Sequence, residues 1–295
     1  MRKEYLLNTC LENCPKVPLR PSQGLVSRLS RLILQSVLWC FTRMSLQQPR
    51  IVGHAPPELL VYDEPTECPY LDDRIARFPM RLPARALRRE EFAERLKIGD
   101  RRQGLILYRP SCPSCGACEP IRIQINEFQA NRSQRRALRR GLQLLTTDIG
   151  RPDVDDTRID LYNRHKIKRG LLGNSEHIDI SGYRSFLVDT CTDTFELRYY
   201  LDNRLVGVAI ADRAQDALSA VYTYFDPDLQ HLSLGTFSIM VQIELCRQWS
   251  LQFLYLGLYV QGCDAMTYKS RYFPHERRIA GMWQRFDRNK SDQSL

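Results

Sequence analysis

Three cysteines at every third position, Cys112, Cys115 and Cys118 in CPSCGAC, constrain this chain more than any other feature. Pro113, Ser114, Gly116 and Ala117 fill the gaps, so one tight turn can aim three sulfurs at a common point. Such spacing holds zinc or an iron–sulfur cluster. A four-ligand site needs one more residue, and Cys68, before Pro69, is the nearest upstream candidate. The alternative is three reduced, half-buried thiols without metal. Residues 105–108 read as a strand entering the loop, and 121–125 (IRIQI) alternate like a strand leaving it. The site is therefore expected to staple a small Cys-rich α+β domain.

A second device follows at once. Arg132, Arg135, Arg136, Arg139 and Arg140 fall at i, i+3, i+4, i+7 and i+8, which puts all five on one face of a helix. Asn131 or Ser133 can cap its start and Gly141 can end it. Five guanidiniums on one stripe repel one another unless a polyanion lies opposite, and this helix carries no acid. A phosphate-binding face is favoured over a solvated surface helix.

The charge agrees. Net charge is +9, and of 43 basic residues only seven are Lys, leaving 36 Arg. Ten cysteines without a signal peptide read as reduced thiols or metal ligands in a cytoplasm, not as a disulfide framework. The apolar run at 32–41 is broken by Gln35 and Ser36 and is too short to span a bilayer.

Along the chain, residues 1–50 show no sustained period and are expected to be a weakly ordered extension. The first 43 read either as part of it or as an artefact of start assignment, and Cys10, Cys14 and Cys40 support no function. Residues 51–150 form the Cys-rich and Arg-rich domain, with a helix at 89–96 stopped by Gly99. Residues 151–295 form the second domain. It holds a helix at 159–168, a mobile loop at 170–175 and strands at 195–201, 205–212 and 218–225, the first two joined by an Asp202-Asn203 turn. A helix at 233–249, apolar around most of its girth, and a strand at 253–259 follow. Three antiparallel strands, a packed helix and a return strand match the centre of an acetyltransferase-like, mixed α/β fold. The helix start, HLSLGT, has a single glycine where an acetyl-coenzyme A enzyme presents a glycine-rich pyrophosphate loop, which disfavours that donor. Its free N–H groups can still hold a phosphate or an oxyanion, so Ser233 and Gly235 are candidate contacts for RNA.

The blocks CPSCGACEPIRI, NRSQRRALRR, YTYFDPDLQHLSLGTFSI, LYLGLYV and MTYKSRYFPHE, in that order, resemble the aminoacyl-tRNA–protein transferases. The resemblance runs from about Cys68 to Glu276. It implies an acetyltransferase-like domain moving an amino acid from tRNA to an N-terminal Asp or Glu, marking the protein for degradation. The triple-Cys loop is similar to the bacterial, leucine-using form, with arginine as the alternative donor. Eukaryotic relatives bind an iron–sulfur cluster through N-terminal cysteines, but here Leu71 stands where a second Cys would follow Cys68.

Aminolysis of an activated ester needs positioning, a proton acceptor and oxyanion stabilisation, and no cofactor. Asp226, beside Tyr222 and Tyr224, is the candidate for orienting or deprotonating the amine, against a plain Asp-Pro turn. Lys269 and Arg271, flanked by Tyr268 and Tyr272, are candidates for the acceptor's carboxylate, against ordinary surface charge. Glu244 reads as the ion-pair partner of Arg247. Two other classes remain: a non-catalytic, metal-stapled RNA-binding module, and a small-molecule N-acetyltransferase.

Overall fold

The computed structural model describes residues 50–52, 55–170 and 177–288, so the expectations for residues 1–49 and most of the 170–175 loop lie outside the described residues. In chain order the first half holds β1 (Arg50–Val52), β2 (Glu58–Tyr62), β3 (Pro65–Glu67), β4 (Ile75–Arg77), β5 (Met80–Pro83), α1 (Arg89–Lys97), β6 (Arg101–Gln103), β7 (Ile106–Tyr108), β8 (Cys118–Gln124), α2 (Arg132–Leu144) and β9 (Thr146–Gly150). The second half holds α3 (Asp156–Lys168), β10 (Asp193–Leu201), β11 (Arg204–Arg213), β12 (Ala217–Phe225), α4 (Leu234–Gln248), β13 (Phe253–Val260), β14 (His275–Ile279) and β15 (Met282–Phe286), with short helical turns between them. Among the described residues no helix is long and apolar enough to cross a membrane.

Two main sheets organise the molecule. A five-stranded sheet runs β1-β2-β5-β7-β6, and an eight-stranded sheet runs β15-β14-β8-β13-β12-β11-β10-β9. The expected hairpin is present: Leu201 pairs with Arg204, and Asp202 and Asn203 take the positive φ angles, 49° and 64°, that a two-residue turn requires. α4 covers one face of the large sheet, burying Phe237, Met240 and Ile243 against Ile121, Leu218 and Leu254. α3 and the 178–188 segment cover the other face, around Tyr162, Tyr183 and Tyr224.

The division expected at residue 150 does not coincide with the sheets. β8 lies between β13 and β14 inside the large sheet, β9 pairs with β10 at its edge, and α2 packs on α4. The Cys loop thus bridges two sheets instead of closing one small domain. A buried ion pair also joins them: Arg102 of β6 meets both oxygens of Asp212 of β11 at 2.7 and 2.9 Å, with neither side chain exposed. Removing one partner of such a pair leaves an uncompensated buried charge, at a cost of about 3–5 kcal/mol.

Candidate active site

β12 and β13 are parallel neighbours over three residues only, Ala217–Ser219 against Phe253–Tyr255. Beyond that they part, and a cavity of about 660 Å³ opens between them at the N-terminus of α4. The splay has a local cause in β13. Its register against β8 shifts between Tyr255 and Gly257, and Gly257 takes φ +88°, which a side chain resists.

The walls come from both halves of the chain: Tyr222 and Phe225 from β12, Leu256 and Leu258 from β13, Ser233, Gly235 and Gln242 from around α4, His165 and Lys166 from α3, Arg101 from β6, and Tyr70 near Cys68. Arg101, Lys166, Arg169 and Lys269 face one acid, Asp264, so the cavity is positive, the charge of Arg102 being taken by Asp212. His165 is neutral there. Burial drops its imidazole to about 4, against the opposing Phe225 backbone hydrogen bond, and Arg169 and Lys166 lower it further. Gln242 is fully buried; its amide donates to Ser238 while its side-chain oxygen has no partner. A donor entering the floor of the cavity would satisfy that oxygen.

Of the sequence candidates, Tyr222, Ser233, Gly235, Tyr268 and Lys269 line this cavity, whereas Asp226, Tyr224 and Arg271, the five arginines of α2 and the four cysteines do not. Asp226 is 1% exposed and its carboxylate is occupied: Arg204 donates at 2.5 Å, Arg164 at 2.9 Å and the Asp228 N–H at 3.1 Å. Burial pushes the carboxyl up, but the Arg204 bond, the Asp228 N–H and Arg164 outweigh it and hold the group below its usual range. These bonds clamp the turn after β12. Tyr224 points into the α3 face of the sheet, where its hydroxyl bonds that of Tyr183 and burial raises it well above an ordinary phenol. Arg271 is exposed, because the turn Tyr268–Arg271 directs Tyr268 and Lys269 to the cavity and Arg271 to solvent. The Lys269 ammonium is itself occupied, donating to the Leu258 carbonyl at 2.8 Å and touching the Met266 sulfur at 3.0 Å.

α2 carries all five arginines exposed. Asn131 and Gln134 cap it reciprocally, at 2.8 Å in each direction. Arg136 and Arg140 border a second cavity, of about 200 Å³, with Ser133, His231, Ser233 and Thr236. Ser233 and Thr236 belong to both cavities, so the arginine face and the cleft meet at the start of α4.

Cys68, Cys112 and Cys118 pack against Tyr70, Tyr108, Leu258 and Val260. Backbone N–H groups of Leu71 and Arg77 donate to the sulfurs of Cys68 and Cys112, each at 3.4 Å. Burial pushes the Cys118 thiol up to about 12, and Cys112, Cys68, Cys115 and Cys263 act in the same direction. Sulfurs that oppose one another's ionisation and accept N–H bonds are a donor set suited to a cation. In the described residues, however, no group of three or more His, Cys, Asp or Glu side chains is placed to hold an ion. Cys118 begins β8 and, with Cys68 and Cys112, is partly buried against this apolar cluster.

Residues 66–136 match the profile described as arginine-tRNA-protein transferase, N terminus, and residues 157–279 match that of its C terminus. The aspartate/glutamate leucyltransferase of Acinetobacter baumannii is 36% identical over 231 residues, covering 78% of this chain and 85% of its own length. The chain belongs to the aminoacyl-tRNA–protein transferase family. The aspartate/glutamate leucyltransferases of Marinobacter nauticus (37% over 219 residues, 74% of this chain and 92% of its own) and Chromobacterium violaceum (35% over 220, 75% and 90%) are similar to it. Within this transferase, sequence reading passed over Arg101, Lys166 and Gln242, which line the cavity. Two signals pointed to them. Gln242 is a lone amide in an apolar helix, and Gly257 is a lone glycine in an apolar strand, which marks a bulge or a close approach.

Proposed function

We infer that this transferase moves leucine from leucyl-tRNA to the N-terminal α-amine of proteins that begin with Asp or Glu. The observation that carries the reading is the similarity to aspartate/glutamate leucyltransferases across 85–92% of their own lengths. The acceptor nitrogen attacks the ester carbonyl carbon, the C–N bond forms as the bond to the tRNA ribose oxygen breaks, and the amine's proton ends on that oxygen.

The cavity suits this step electrostatically. An unperturbed α-ammonium has a pKa of about 8, and a cation-rich cavity lowers it further, so the acceptor enters as free amine without a dedicated strong base. The free N–H groups at the start of α4 are suited to the developing oxyanion. The exposed face of α2, with Arg136 and Arg140 nearest the cleft, would take tRNA phosphates. Cys68, Cys112, Cys115 and Cys118 would hold a structural zinc ion or iron–sulfur cluster, contributing folding energy to the loop that carries Pro69 and Tyr70 to the cavity wall. Charged tRNA as donor makes the cytoplasm the expected compartment. The decisive assay incubates the protein with mixed charged tRNAs and an Asp-starting peptide and weighs the product. A leucyl adduct supports the reading; an arginyl adduct, or none, overturns it.

A further inference from the structure

We propose that Arg101 is the residue that reads the acidic side chain of the acceptor, through a seat that Gly257 provides. The proposal rests on the transferase reading above and names the specificity element within it.

The seat is a close approach of side chain to backbone. A Cβ built on Gly257 would lie 1.7 Å from Nη1, 2.6 Å from Cζ and 2.9 Å from Nη2 of Arg101. No other residue can stand at 257 while the guanidinium stays where it is. The position matters too: the last β13 residue still paired with β12 is Tyr255, two before Gly257, so the guanidinium sits at the throat of the splay. Its neighbour Arg102 is anchored on Asp212 with both side chains unexposed, which fixes β6 and presents Arg101 without a search of conformations.

The other cations of the cavity do not offer the same thing. Arg102 is taken by Asp212, and Lys269 by the Leu258 carbonyl. Lys166 lies 5.7 Å from the Tyr162 ring, and Arg169 is exposed at the rim. Arg101 is half-buried, and among the described residues no carboxylate meets it. A half-buried guanidinium without a counter-ion costs free energy when the cavity is empty and recovers it when an anion arrives. Its planar fork matches a carboxylate at two points, which serves Asp and Glu alike and rejects their amides. A tRNA phosphate is the competing anion. The arginines facing the tRNA side come from α2, whereas Arg101 comes from the other sheet, so the acceptor is the favoured occupant.

The test uses the full chain, leucyl-tRNA and three peptides that differ only in starting with Asp, Glu or Asn. Arg101→Gln should lower kcat/KM on the Asp and Glu peptides by about 10- to 100-fold, the range for removing a charge-assisted two-point hydrogen bond. The slow rate on the Asn peptide and the Kd for leucyl-tRNA should each stay within about twofold. Arg101→Ala should recover Asp-peptide transfer when millimolar guanidinium is added, a rescue that a misfolded variant would not show. Equal losses on Asp and Asn peptides, weakened leucyl-tRNA binding, or no rescue would each overturn the assignment and give Arg101 to the fold or to the tRNA. A wild-type protein that leucylates none of the peptides would instead sink the transferase reading itself.

Discussion

Gly141 offers the sharpest test of how α2 is seated. The spacing of the arginines and this glycine predicts a helix ending at 141, but α2 continues to Leu144 and the glycine lies inside it. A Cβ at 141 would meet the Phe237 ring at 2.1, 2.3 and 2.7 Å. That ring cannot step aside, since Phe237 is 0% exposed and lies 5.3 Å from the Tyr199 ring at 67°. α2 must therefore move away from α4. Overpacking of this kind costs about 1–3 kcal/mol, and alanine returns about 1 kcal/mol of helix propensity. A 2.1 Å approach belongs at the severe end of that range. Gly141→Ala should then lose about 2 kcal/mol net, or about 3 °C in Tm for a protein of this size. Gly116→Ala is the matched control, because nothing lies within 4 Å of its added carbon. Scanning fluorimetry and urea midpoints read both variants. A Gly141→Ala protein as stable as wild type would refute the reasoning, and would mean that the two helices are not packed this closely.

Acid should weaken the fold through two histidines. Burial holds His165 and His275 near 4 in the folded state, so both are neutral, whereas the unfolded chain takes a proton below about 6.5. Their contribution is fully present above that value and is lost as pH falls from about 6.5 to 4, by up to about 2 kcal/mol per imidazole at pH 5. Urea midpoints at pH 7.5 and 5 should show the drop in wild type and a smaller one in His275→Asn; equal drops would exclude His275. Replacing Arg136 and Arg140 together with Gln should weaken tRNA binding and reduce the salt slope by about one for each phosphate no longer neutralised, while an unchanged slope would take these residues off the RNA. Asp226→Asn should lower stability and leave kcat per folded molecule within about twofold, since its carboxylate serves Arg164 and Arg204; a loss of about a hundredfold at intact stability would return it to catalysis.

Much of the fold was legible because it is written in periodicity. The three central hairpin strands, the apolar α4 and the return strand lie within a few residues of where alternation and helical spacing put them. Glu244 pairs with Arg247 at 2.6 Å, as three-residue spacing on a helix requires. Long-range pairing left no such trace. Nothing in IRIQI says that β8 slots between β13 and β14, more than a hundred residues later. For the same reason the Asp-Pro context of Asp226 identified a turn but not the two arginines that close on it. The close approach of Arg101 left no trace either, because it depends on the missing side chain of a glycine far along the chain.

The placement of β8 and α2 changes how the two matched segments divide the work. The start of α4 has a left-handed Ser233 (φ 53°) and one glycine, and beside it lie Arg136 and Arg140 from the preceding segment. The N-terminal segment therefore supplies an arginine-bearing border to the start of α4. It also supplies the strand that fills the gap between β13 and β14, and through β6 a guanidinium at the throat of the cleft. A binding module joined by a linker to a complete catalytic domain would put no strand into the middle of its partner's sheet. Neither matched segment is a self-sufficient unit in this arrangement, and the cleft has its full set of walls only because the two are interleaved.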